Sequence, residues 1–358
     1  MNKKIIFFTL DITLIGGVER MLSTLARYIV SKDEFKVEIV SIFKSNQDAS
    51  FDFTDVKISY LLNKKFDISN FYKSLITYTR LIYSILFFKN ENAVYVSTFP
   101  SISFLFFLFK GSKDLIVSEH AQFNAHNSTF NFFRKLFYKK FKKIVLLTDK
   151  QYVLFSEFVS KENLLIIPNP INIVSQKTNR DSNKIVTVGR LVPEKGFDIL
   201  IDIVHKLIKV KPLLKLVIVG SGPEKANLFH RIESLGLVEN IDIIENETNV
   251  SRHLENASVF VVTSLTESFG IAMLEALSVG VPVVAFDAGD GPKKLISDGN
   301  NGFLIPFRNN SLFEKKVLTL LDSEVITWNE FSKNAVNSSL MYDVNIVYLM
   351  WKDVFKNI

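Results

Sequence analysis

The chain has 358 residues, 47% hydrophobic, 13% aromatic and 22% charged, which is long enough for two domains with separate cores. Thirty-three Phe exclude a disordered chain, and zero Cys excludes a disulfide scaffold, thiolate metal sites and Cys nucleophiles. The net charge of +6 is unevenly laid: 23 Lys and Arg stand against 15 Asp and Glu up to residue 175, and 20 against 22 beyond it.

The first apolar run, Ile5–Leu10, follows two lysines as a signal peptide would, but it ends at Asp11 with no small-residue cleavage site after it. It is read as a buried first strand, and the protein is expected to be cytoplasmic. Gly17–Val30 reads as a helix and Val37–Phe43 as the next strand. Ser101–Phe109 is the longest apolar run, about half of the ~20 residues a bilayer span needs. Val94–Ser97, Leu115–Ser118 and Ile144–Leu147 continue the strand series. The chain breaks around Pro168-Asn169-Pro170, and 173–183 is expected to be a linker.

A second alternating series follows. Lys184–Val188, Leu216–Val219, Ile241–Ile244, Val259–Val262 and Val281–Ala285 read as strands, with helices over Gly196–Val210, Ala226–Leu235 and Phe269–Ser278. Strands that are apolar throughout and alternate with helices point to parallel sheets covered on both faces. The expected fold is therefore α/β, with two doubly wound Rossmann-like domains, 1–172 and 184–340, facing a central cleft. Residues 341–358 are expected to form a C-terminal helix that packs back on the first domain.

Much of the positive excess sits in residues 129–143, with six cations, six aromatics and no acid. Read as a helix, Phe130, Phe133, Phe137 and Phe141 form one stripe beside Lys135, Lys139, Lys142 and Lys143. Such a helix fits an anionic membrane surface, and equally a core helix with a solvated lysine face. Phe133, Lys135, Phe137, Lys139, Phe141 and Lys143 are the membrane-facing candidates. No nucleic-acid motif accompanies them, and nucleic acid is not an expected partner.

Dinucleotide binding fails on spacing. Gly16-Gly17 has no third glycine in register, and in Gly220-Ser-Gly222-Pro-Glu-Lys225 a lysine takes the third place. No Asp-x-Asp occurs, so the usual carboxylate pair for a metal–diphosphate complex is missing. What remains are anion-binding features. Gly16-Gly17 precedes a helix N-terminus, where bare amides attract anions, although a plain strand–helix turn needs the same residues. Gly189-Arg190-Leu-Val-Pro-Glu-Lys195-Gly196 sets two cations at a strand's carboxyl end, suited to a diphosphate or merely to solvent. Glu267-Ser268-Phe269-Gly270 opens a largely apolar helix that carries Glu275 inside it, and a buried carboxylate needs a partner such as a ligand hydroxyl.

Together these motifs resemble the retaining, nucleotide-sugar-dependent glycosyltransferases of family 4, which have the GT-B fold. The family's two Glu separated by seven residues match Glu267 and Glu275, and Gly-Gly-x-Glu matches Gly16 to Glu19. Gly189-Arg190-Leu191…Lys195-Gly196, Gly220-Ser221-Gly222-Pro223 and Asp298-Gly299-Asn300-Asn301-Gly302 follow in family order. The resemblance implies that Arg190 and Lys195 bind the donor diphosphate, that Glu267 meets the donor sugar and that Glu275 meets the ribose. Amides around Ser268, Phe269 and Gly270 would hold phosphate, with Gly16, Gly17 and Gly220 nearby. His120, at the end of a strand, would lie near the reacting face of the sugar, with His126 its competitor.

The activity so implied is retaining transfer of a hexose or N-acetylhexosamine, from a UDP-linked donor to a lipid-linked glycan. It would need neither metal nor cofactor and would work at the inner face of the plasma membrane, in capsule or O-antigen synthesis. A sugar-nucleotide epimerase and a catalytically silent membrane scaffold are the alternatives. One departure stands out: Lys294 sits where relatives carry an acid, which leaves the donor sugar open.

Overall fold

The computed structural model describes residues 3–63, 79, 93–110, 115–123, 128–173 and 180–358. Part of the expected linker, and His126, lie outside the described residues. The chain divides into two units, Met1–Pro170 with Val344–Ile358, and Ile171–Asp343.

The first unit holds a seven-stranded parallel sheet of β1 (Lys4–Thr9), β2 (Lys36–Ser41), β3 (Lys57–Tyr60), β4 (Ala93–Ser97), β5 (Leu115–Ser118), β6 (Lys143–Leu146) and β7 (Leu164–Ile166). Its order is β3-β2-β1-β4-β5-β6-β7. Helices α1 (Gly17–Ser31), α2 (Pro100–Lys110), α3 (Ser128–Tyr138) and α4 (Asp149–Ser156) connect the strands. Ile5, Ile6, Phe7 and Phe8 are all fully buried, which is why β1 is apolar on both faces rather than alternating.

The second unit repeats the plan with six parallel strands: β8 (Lys184–Val188), β9 (Lys215–Val219), β10 (Ile241–Ile244), β11 (Val259–Val262), β12 (Val283–Phe286) and β13 (Gly302–Ile305). The order is β10-β9-β8-β11-β12-β13. Its helices are α5 (Phe197–Val210), α6 (Lys225–Ser234), α7 (Ser251–Leu254), α8 (Ile271–Ser278), α9 (Asp290–Leu295), α10 (Asn310–Asp322) and α11 (Val325–Ser339). In α5 the buried Phe197, Leu200, Ile201, Val204 and Leu207 recur at three- and four-residue steps and cover the sheet. The linker residue Arg180 is tied into this unit, donating to the carbonyls of Leu320, Leu321 and Ser323 at 2.7–3.0 Å.

The last helix, α12 (Val344–Lys356), belongs to the first unit. Trp351 and Phe355 stack on each other, and both meet the Phe7 ring edge-on. Lys3 Nζ donates to the carbonyls of Phe355 and Ile358, at 3.0 and 2.9 Å. No helix among the described residues is long and apolar enough to cross a membrane.

Candidate active site

In the second unit the chain runs outward from β8 through β9 to β10, then returns to the other side of β8 as β11. Ligands of doubly wound sheets sit at the strand carboxyl ends beside such a reversal. The segments leaving β8 and β11 are bound together there. Leu265 N–H donates to the Glu194 carbonyl at 2.8 Å, and the buried Thr263 hydroxyl donates to the Gly196 carbonyl at 2.8 Å. Gly196 has φ +62°, and a Cβ on it would lie 2.4 Å from the Thr263 carbonyl oxygen, so only glycine fits this crossing.

That crossing sets Lys195 against Glu267. The Lys195 ammonium lies 2.6 Å from Glu267 Oε2, which also accepts from the Ser264 hydroxyl at 3.3 Å. Both side chains are only partly open to solvent, 23% and 15%, so the pair is held rather than loosely tethered. Glu267 is fixed at its backbone too, its N–H donating to the Ala288 carbonyl at 2.7 Å. Gly270, at φ +87°, cannot continue a right-handed helix and caps α8, which begins at Ile271 and not at Phe269. Phe269 is buried edge-on against Tyr342, and the first amides of α8 lack intrahelical partners. Glu275 lies half-buried one turn further on, and Arg190 is exposed just past β8. Gly220 has a packing reason: a Cβ there would lie 1.8 Å from the Gly189 carbonyl oxygen. Lys294 is half-buried in α9, whose Gly291 packs on the Phe269 carbonyl.

In the first unit, Gly16 caps α1, and a Cβ on it would meet the Glu19 carboxylate, buried in the first turn, at 2.4 Å. His120 follows β5, with its Nε2 3.0 Å from the Ser118 hydroxyl. Glu119 beside it is fully buried and bonded to Arg134 and Tyr138 of α3. The Arg134 guanidinium also lies over the rings of Phe123, Tyr138 and Phe155. Burial, and then the charge of Glu119, raises the Tyr138 hydroxyl well above its ordinary pKa. Among the described residues no three His, Asp or Glu side chains converge as a metal site requires.

Residues 169–338 match the family described as glycosyl transferases group 1. The chain is 29% identical over 358 residues to an uncharacterized glycosyltransferase of Haemophilus influenzae, covering 98% of this chain and 99% of the relative. It is 28% identical to the amylovoran biosynthesis glycosyltransferase AmsD of Erwinia amylovora, over 95% of both. Among solved structures, Staphylococcus aureus TarM in complex with UDP superposes with a TM-score of 0.83 at 17% identity, covering 99% of each chain. The pneumococcal O-GlcNAc transferase GtfA with UDP and GlcNAc gives 0.80 at 13%, again over 99% of both.

The chain is a GT-B glycosyltransferase.

The glycosyltransferase thus places Lys195, Glu267 and the start of α8 in one unit, with Gly16, Gly17 and His120 in the other. The expected lysine–phenylalanine face needs correction. Phe141 is fully buried in the core, Phe137 turns inward onto the Phe104 ring at 4.6 Å, and Lys143 opens β6. Lys135 and Lys139 remain exposed, as does half of Phe133, but the Lys135 ammonium leans over the rings of Phe123 and Phe158. Sequence reasoning also missed the buried Glu119–Arg134 pair. The available signal was the only Arg among five Lys in residues 129–143, sixteen positions after the expected strand end at Ser118.

Burial lowers the His120 imidazole to about 4, so it is neutral at physiological pH and serves as a hydrogen-bonding group. Because the folded pKa lies below the ordinary 6.5, the unfolded chain binds the proton first. Stability from this group is complete above pH 6.5 and drains away as pH falls toward 4. In the glycosyltransferase His120→Asn is therefore expected to lose less stability than wild type between pH 7 and pH 5, measured by urea unfolding. An equal loss in both would show that the imidazole titrates normally.

Proposed function

We propose that this glycosyltransferase moves a hexose or N-acetylhexosamine from a UDP-linked donor to a lipid-linked glycan, in the synthesis of a bacterial surface polysaccharide. In this reading the transfer retains anomeric configuration, needs no divalent metal and takes place at the inner face of the plasma membrane. The observation that carries it is the Lys195–Glu267 pair beside the amide-bearing start of α8.

The chemistry explains the pairing. When the sugar leaves, charge develops on the diphosphate, and preorganised cations and amides stabilise it at several kcal/mol. A carboxylate beside a diphosphate would oppose this unless its own charge is compensated, and Lys195 compensates Glu267 at 2.6 Å. Glu267 can then accept from donor sugar hydroxyls while Lys195 and Arg190 face phosphate. Glu275 would accept from the ribose, and neutral His120 would meet the sugar's reacting face. The acceptor hydroxyl attacks from the side the diphosphate leaves and passes its proton to the departing phosphate. Support for the donor and pathway comes from relatives: TarM and GtfA were each solved with UDP, and AmsD is named for amylovoran biosynthesis.

The test is a thermal-shift screen of UDP-, GDP- and ADP-sugars, followed by transfer assays in EDTA. A UDP-sugar at a hundred times its Kd is expected to stabilise the protein by about 2.7 kcal/mol. Absence of any UDP-sugar shift, or transfer that requires added metal, rejects the reading. Conversion of donor without acceptor would identify an epimerase.

A further inference from the structure

Helix α3 is pinned from behind and bare in front. Its inner arc carries Arg134 and Tyr138, both bonded to Glu119, and Phe137 against Phe104. Its outer arc carries Phe132, Phe133 and Leu136, which are 66%, 48% and 50% exposed. On helical geometry these three share one side, since 132 and 136 are one turn apart and 133 lies beside them. Lys139, Lys140 and Lys142, all exposed, extend the same end, and no Asp or Glu occurs from Ser128 through Thr148. Leu108 of the neighbouring helix α2 is another exposed apolar side chain, at 50%.

Single exposed apolar residues are ordinary on a protein surface. Two phenyl groups and a leucine on one arc, beside exposed lysines and with no acid from Ser128 through Thr148, form a different pattern. A polyanion would complement the positive charge and leave the phenyls in water. An anionic bilayer satisfies both, because rings settle at headgroup depth while each lysine near lipid phosphate adds about 1 kcal/mol. We infer that Phe132, Phe133 and Leu136, with Lys139, Lys140 and Lys142, dock this protein on an anionic phospholipid surface. The inference deepens the lipid-linked acceptor reading by naming the face that meets the membrane. The docked helix is also the one whose inner side holds Glu119, the residue before His120.

The full chain is sedimented with phosphatidylcholine vesicles and with vesicles that also contain phosphatidylglycerol, with neither donor nor acceptor present. Wild type is expected to pellet only with the anionic vesicles. Lys139→Glu with Lys140→Glu is expected to weaken binding about thirtyfold or more, from two lysine contributions lost. Phe132→Ser with Phe133→Ser, which keeps every charge, should weaken it at least about tenfold. Unchanged thermal melting of both variants keeps the comparison clean, since all four side chains are largely solvent-facing. Loss in the lysine variant alone would mean plain adsorption to polyanions, and binding retained by both would place the contact elsewhere; either overturns the inference. Vesicle binding that persists while no UDP-sugar shifts the melting temperature would instead reject only the donor reading.

Discussion

Lys195→Met is expected to lower kcat/KM for the donor by about 10²–10³, the usual loss when one preorganised charge partner is removed from a transition state. The side chain keeps its length and apolar stem but no longer offers an ammonium to phosphate or to Glu267, 2.6 Å away. Glu267→Gln should also be severely impaired, and the double variant should be scarcely worse than either single one, because each loss disables the same unit. Steady-state kinetics on the three proteins reads this directly. Fully multiplicative losses would mean that the two groups act separately and that their contact is incidental. Because Lys195 and Glu267 sit in loops fixed by Gly196 and Thr263, folding should be little changed, and thermal melting provides that control.

Arg134→Met is expected to destabilise the first unit by about 3–5 kcal/mol, the range found when one partner of a buried ion pair is deleted. Glu119 is fully buried and Arg134 nearly so; without the guanidinium the carboxylate keeps, among the described residues, the Tyr138 hydroxyl and its desolvation cost. Arg134→Met combined with Glu119→Gln should recover much of the loss, since a neutral amide costs far less to bury than an unpaired charge. Urea unfolding of wild type, single and double variants measures both steps. A single variant within about 1 kcal/mol of wild type would show that the pair adds nothing beyond packing.

The two cases differ in how far residue order reveals them. Lys195 and Glu267 are recognisable as motif members, yet their contact joins positions 72 apart in the chain, and nothing local predicts it. The alternation of apolar strands with helices carried the two-sheet architecture, because strands buried on both faces leave an unbroken hydrophobic run. The short edge strands escape that reading for different reasons: Lys57–Tyr60 is mixed in polarity, and Leu164–Ile166 is apolar but only three residues long, just before the Pro168 break. Helix α3 shows a sharper limit. Phe130 and Phe137 mark one arc, Phe132, Phe133 and Leu136 another, so periodicity establishes a helix without saying which side faces inward. The choice is made by distant partners, the Phe104 ring and the Glu119 carboxylate, and Arg134, counted in the sequence only among the six cations of residues 129–143, is buried.

The placement of Val344–Lys356 bears on biosynthesis. Phe7, made before the second unit, is covered by Trp351 and Phe355, made after it. The half translated first is therefore completed only after the other half has been synthesised in full. A fragment cut at Pro170 would leave that aromatic seam bare, inviting aggregation, whereas an insert joining Pro170 directly to Val344 would restore the native lid without the intervening 173 residues.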